Sequence, residues 1–94
     1  MARMFTKISK ALGPELTLRH LAILESVAAG NRHVRTIATD IGVSKPIVSR
    51  ALNALPHLLR RMEDPEDMRS VRVELTKEAK KILDYATVMS KGLI

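Results

Sequence analysis

Apolar residues recur at helical spacing in five stretches of this chain and at strand spacing in one adjacent pair. Phe5, Ile8 and Leu12 lie three to four positions apart with Lys7 and Lys10 between them. That pattern predicts a short amphipathic helix over residues 4–12, ended by Gly13-Pro14. Thr17 then stands as a cap before a run in which Leu21, Leu24 and Ala28 share a face, Ile23 and Val27 flank it, and Gly30 supplies the stop. Ile37, Ala38 and Ile41 mark about two helical turns before Gly42. Ser44 caps the next helix, which tolerates Pro46 in its first turn and repeats Val48, Ala51, Leu52 and Leu55 at i, i+3, i+4, i+7.

Two short helices joined by a few residues containing glycine form a helix-turn-helix, here over residues 34–55, with the second helix available to enter a DNA major groove. The runs His57–Met62 and Ser70–Leu75 are rich in leucine and β-branched residues and partly alternate. A polar, proline-containing turn separates them, so residues 58–75 are expected to form a β-hairpin. Thr76 caps the last stretch, residues 77–91, where Ala79, Ile82, Leu83, Ala86 and Met89 make an apolar stripe and Glu78 sits near the positive helix N-terminus. The expected architecture is therefore mainly α with a small β-hairpin wing, a winged helix-turn-helix, in one domain spanning residues 1–94.

Composition sharpens this picture in two ways. An aromatic share of 2% means that Leu, Ile, Val, Ala and Met must build the core. With 16 Lys+Arg against 10 Asp+Glu the formal charge is +6, which suits a polyanionic partner. The excess is not spread evenly. From Asn31 to Arg61 there are six basic residues (Arg32, Arg35, Lys45, Arg50, Arg60, Arg61) against one acid, Asp40, a net +5 carried by the helix-turn-helix and its approach to the hairpin.

Several chemistries drop out. There is no cysteine, hence no disulfide or thiol redox centre. The acids Glu63, Asp64, Glu66 and Asp67 lack the spacing and central glycine of a calcium loop, and His20, His33 and His57 have neither Cys partners nor i, i+4 pairing for zinc. No glycine-rich phosphate loop and no nucleophile-base-orienter set is present, so neither an enzyme nor a cofactor is expected. No apolar run reaches the length of a signal peptide or a membrane span, so no membrane association is expected and a cytoplasmic, nucleoid-associated location is the default.

From Leu16 to Leu83 the chain resembles the winged helix-turn-helix domain of the MarR family of bacterial transcriptional regulators. The most specific part is Asp64-Pro65-Glu66-Asp67-Met68-Arg69-Ser70 followed by a strand and Leu75-Thr76, similar to the family's wing with its D-x-R element, here Asp67-Met68-Arg69. Three features depart from the family pattern. Pro56-His57 stands where a glycine usually follows the recognition helix, His33 stands where Thr is a common cap, and the terminal helices are short.

The resemblance implies a set of DNA contacts. Lys45, Pro46, Ile47, Ser49, Arg50 and Asn53 lie largely off the Val48/Leu52/Leu55 stripe and would form the reading face. Arg50 would read guanine edges or phosphate, Asn53 would pair with adenine, Ser49 would serve either, and Ile47 would meet a thymine methyl. Arg32, Arg35, Thr36, Ser44 and Lys45 would position the phosphate backbone. Arg69 would insert into the minor groove at the wing tip, with Asp67 holding its guanidinium or the adjoining amides and Asp64-Pro65 starting the turn. Glu63 and Glu66 would face solvent.

The expected partner is double-stranded DNA, bound by a homodimer built through Phe5, Ile8, Leu12 and the 77–91 helix. A repressor reading a pseudo-palindromic operator is the leading function. With Phe5 and Tyr85 as its only aromatic residues, the chain is not expected to take an aromatic small-molecule effector, and Tyr85 is assigned to dimer or core packing. The alternatives are a winged-helix module docking a transcription or replication partner, and a non-specific DNA organiser.

Overall fold

Thr17 opens the first helix, α1 (Leu18–Ala28), by accepting a hydrogen bond from the His20 backbone N–H at 3.1 Å, while its own N–H donates to His20 Nδ1 at 3.4 Å. This is a reciprocal capping box with histidine in the place usually held by Glu or Gln. In the computed structural model, which describes residues 16–63, 66 and 71–91, α1 is followed by α2 (Val34–Ile41), α3 (Lys45–Ala54), strands β1 (Leu59–Glu63) and β2 (Val71–Leu75), and α4 (Lys77–Lys91). The helix expected over residues 4–12, and with it Phe5, Ile8 and Leu12, lies outside the described residues, as do Asp64, Pro65, Asp67, Met68, Arg69 and Ser70.

Glycines end the first two helices as expected. Gly30 adopts φ 111° and donates to the Val27 carbonyl at 3.0 Å, and the Asn31 N–H reaches the Ser26 carbonyl at 3.1 Å, the paired bonds of a Schellman motif. Gly42, at φ 72°, turns the chain out of α2, and the Val43 N–H returns to the Ala38 carbonyl at 2.9 Å. Only three residues, 42–44, then separate α2 from α3.

The core is aliphatic throughout. Ile23, Leu24 and Val27 of α1, Ile37 and Ala38 of α2, and Val48, Ala51 and Leu52 of α3 close around Leu55, Leu58, Leu59, Val73 and Ala79. One detail differs from the periodicity reading. Burial on α1 centres on Ile23, Leu24 and Val27 and takes in Ser26, whereas Ala28 is exposed and Leu21 only half-buried. The reason is packing: a hydroxyl bonded to the Asn31 side chain at 3.2 Å tolerates burial, and alanine has little apolar area to lose by exposure.

β1 and β2 pair antiparallel with Leu59 opposite Leu75, Arg61 opposite Val73 and Glu63 opposite Val71. The strand alternation puts Leu59, Arg61, Val73 and Leu75 on one face and Arg60, Met62, Arg72 and Glu74 on the other. Without the family's glycine, the chain leaves α3 through a turn in which the Leu58 and Leu59 N–H groups both return to the Leu55 carbonyl, at 3.0 and 2.9 Å. Thr76 ties that turn to the last helix. Its hydroxyl donates to the His57 carbonyl at 2.8 Å and accepts from the Ala79 N–H at 3.1 Å, while its N–H bonds the Leu58 carbonyl. No helix among the described residues is long and apolar enough to cross a membrane.

Candidate nucleic-acid interface

The outward face of α3 is set by what the helix buries. Val48, Ala51 and Leu52 point into the core, so the helical period turns Lys45, Pro46, Arg50 and Asn53 outward, all exposed, with Ile47 and Ser49 half-buried at the margins. Ser44 occupies the cap position of α3 with extended backbone and its hydroxyl makes no cap hydrogen bond; because Pro46 has no N–H and the Ile47 N–H returns to the Ser44 carbonyl at 3.1 Å, the donors this end offers an incoming acceptor are the exposed Ser44 hydroxyl and the Lys45 N–H.

Two shallow depressions border α3. One is lined by His33, Val34, Arg35, Thr36, Lys45 and Val71, which brings the start of α2, the start of α3 and the second wing strand together. Two bases and a helix N-terminus in one hollow suit an anion. The Thr36 hydroxyl also serves the backbone there, donating to the His33 carbonyl at 2.9 Å and accepting from the His33 N–H at 3.3 Å. Here threonine reaches back to the cap residue and helps close the helix start, the return half of a capping box with His33. The other depression is lined by Thr17, Arg19, His20, Ile47, Arg50, Ala51 and Ala54, where α1 begins beside α3.

Arg32 is placed differently from its neighbours. Its carbonyl accepts from the Val73 N–H at 2.7 Å, which joins the segment between α1 and α2 to β2, and its guanidinium pairs with Glu74 at 3.6 Å. The pair borders a third hollow between α1, β2 and α4, formed with Val27, Ala28, Leu75, Lys80, Leu83 and Asp84. Of the expected interface residues, the fold therefore gathers Arg35, Thr36, Ser44, Lys45, Pro46, Ser49, Arg50 and Asn53 around α3, sets Ile47 toward α1, and ties Arg32 to the hairpin. Asp67 and Arg69 lie outside the described residues, and Glu63 and Glu66 are exposed as expected.

Sequence reasoning gave no contact role to two cations at this surface, although it counted Arg61 in the basic excess. Arg19 lines the hollow beside Arg50. Arg61 donates through Nη2 to Asn53 Oδ1 at 2.6 Å and reaches the Ser49 carbonyl at 3.5 Å. The alternation of β1 was the available signal, because it puts Arg61 on the same face as Leu59 and Val73, an improbable place for a charge without a polar target.

Solved structures carry the same arrangement of helices and hairpin. S. aureus MepR, solved as a DNA complex, superposes with a TM-score of 0.84 at 20% identity over 99% of this chain and 77% of its own. E. coli MarR matches with a TM-score of 0.78 at 20% identity over 93% and 65% of the two chains. The regulator BldR from Sulfolobus solfataricus matches with a TM-score of 0.77 at 25% identity over 94% and 66%. This chain has the MarR-type winged-helix fold. The fold expectation, mainly α with a hairpin wing, holds element by element from α1 to α4.

No family model and no curated protein matches the sequence, so the likeness rests on three-dimensional structure. The chain spans less than two thirds of the length of several MarR-type structures, 65% of E. coli MarR and 57% of the Streptomyces coelicolor regulator PcaV. Within the MarR-type fold, α2 and α3 form the helix-turn-helix and β1–β2 the wing. Among the described residues no group of three or more His, Asp or Glu side chains could hold a metal ion.

Proposed function

We propose that this chain is a sequence-specific double-stranded-DNA-binding transcriptional regulator, a repressor that docks α3 in the major groove and the wing over the adjacent minor groove. The observation that carries this reading is the two-sidedness of α3. One side is sealed by Val48, Ala51 and Leu52, and the other exposes Lys45, Pro46, Arg50 and Asn53. Two structures with this fold, S. aureus MepR and Streptococcus pneumoniae FabT, were solved with DNA, which supports the same partner here.

The reading assigns roles by chemistry. Arg50 meets a guanine edge or a phosphate, and Arg35, Lys45 and the Ser44 hydroxyl hold the backbone. Arg19 adds a base at the other margin. From the sequence, Arg69 is the wing residue for the minor groove, where narrow A-tracts concentrate negative potential. Arg32, neutralised by Glu74, contributes less than its charge suggests. The regulator acts as a homodimer in the cytoplasm, reading a pseudo-palindrome whose half-sites lie about one helical turn, roughly 34 Å, apart.

The test is to incubate the protein with sheared genomic DNA from its source at about 150 mM salt, where non-specific binding is typically weaker than about 10⁻⁶ M, and to sequence what is retained. Enrichment of a few fragments sharing an inverted repeat is expected. Uniform retention would replace the proposal with a non-specific organiser, and no retention with a protein-docking module.

A further inference from the structure

Asn53 was matched to adenine because a free carboxamide can accept from N6–H and donate to N7 at once. The structure removes that freedom. Arg61 Nη2 lies 2.6 Å from the Asn53 side chain, and a guanidinium has donors only, so the atom it meets must be the carbonyl oxygen Oδ1. The orientation of the amide is thereby settled by chemistry. Oδ1 spends one of its two lone pairs on a charge-assisted bond, and the adjoining cation disfavours a further N–H there, whereas the Nδ2 amino group still donates.

We infer that Arg61 is a specificity-determining residue that shifts Asn53 from a balanced donor-acceptor toward a donor. This rests on the regulator reading above and narrows it. In the major groove a donor selects edges that present acceptors, N7 and O6 of guanine or O4 of thymine, with adenine offering N7 alone beside an amino group. It disfavours the amino-bearing edge of cytosine. Adenine keeps its N7 acceptor, but its N6 amino group then meets an oxygen already bonded to a guanidinium, so the other half of the bidentate contact is weakened.

Three features of the fold hold the pair together. Arg61 emerges from β1 on the face shared with Leu59 and Val73, both buried, so its strand position is anchored on either side. The α3 backbone offers a second acceptor one turn away, the Ser49 carbonyl at 3.5 Å, and the guanidinium therefore lies along the helix between residues 49 and 53. Finally, asparagine is neutral. The Arg32–Glu74 pair cancels its charge, but the Arg61–Asn53 pair keeps a full positive charge beside the reading face, compatible with approach of a polyanion.

The experiment is site selection from a randomised duplex pool with the full chain, comparing wild type, Asn53→Ala, Arg61→Met and the double variant, each checked for folding by thermal melting. Wild type should prefer guanine or thymine over adenine roughly tenfold at one position of each half-site, the scale of one net hydrogen bond. Asn53→Ala should flatten that position alone. Arg61→Met should raise adenine there, and should have no base-specific effect once Asn53 is alanine. If Arg61→Met fails to fold, Arg61→Lys, which keeps the charge but replaces the planar fork with a flexible ammonium, should give an intermediate shift toward adenine.

An adenine preference in wild type would overturn the inference. So would an Arg61 variant, Met or Lys, that loses affinity equally for all four bases, since Arg61 would then be only a phosphate contact. Selection of a clear operator with no preference attributable to Asn53 would sink this inference and leave the regulator intact. Failure to enrich any sequence would overturn both.

Discussion

Thr76 does more than its helix-capping position requires. A threonine that only capped α4 would bond the Ala79 N–H, but this one also holds the His57 carbonyl and so fastens the turn after α3 to the start of α4. Thr76→Ala should therefore destabilise the fold by about 1–2 kcal/mol, the upper part of the range for a lost cap. Thr76→Ser should recover most of it, as read by urea denaturation. Gly42 offers a contrasting case. Nothing lies within 4 Å of the Cβ that alanine would add, so the cost of Gly42→Ala comes from its φ of 72° alone. A loss of roughly 1 kcal/mol is expected, with the helix-turn-helix geometry kept. Were the loss several times larger, crowding rather than backbone strain would be responsible.

At the scale of elements, the hairpin depends on the turn that precedes it. Leu58 is fully buried at the point where the chain leaves α3. It sits between two residues, His57 and Leu59, whose backbone groups are already used by Thr76 and Leu55. The backbone there cannot collapse freely into a void, so Leu58→Ala should cost about 3–5 kcal/mol, toward the high end for leucine. Circular dichroism on denaturation should show the loss as a single transition. Arg50→Ala is the converse case. Arg50 is exposed on α3 and outside the core, so the variant should melt within about 0.5 kcal/mol of wild type while losing base discrimination of about 1–3 kcal/mol at one position. Binding that stayed unchanged against both matched and mismatched duplexes would remove Arg50 from the interface.

Over the whole molecule, charge and exposed apolar area make separate predictions. If the cations gathered around α3 and the wing neutralise about six phosphates per protomer, log K should fall with log salt at a slope of roughly −5. A slope near zero would mean that the basic surface does not meet DNA. Tyr85 and Val88 lie one helical turn apart on α4 and are 42% and 66% exposed. Tyr85 is therefore not a core residue in the isolated chain, which leaves the dimer half of its expected role. Val88→Asp should convert a dimer to monomers in sedimentation equilibrium and weaken binding to a palindromic duplex far more than to a half-site.

The order of elements, their limits and the aliphatic core were legible in the sequence because each has a local cause. Thr17 and Thr76 stop the backbone donors from going unpaired, Gly30 and Gly42 take positive φ, and Val48, Ala51 and Leu52 repeat at helical spacing whatever surrounds them. Helix and strand periods also sorted most of the reading face from the core. The pairings across elements were not legible, because they depend on how far a strand comes from a helix rather than on spacing along the chain. Arg32 and Glu74, 42 positions apart, and Asn53 and Arg61, on a helix and a strand, meet only once the turn at Leu55 has folded the hairpin back. The sequence by itself determined which residues face outward on α3; the tertiary structure decided what those residues have left to offer, because a long arginine side chain finds its acceptor in space.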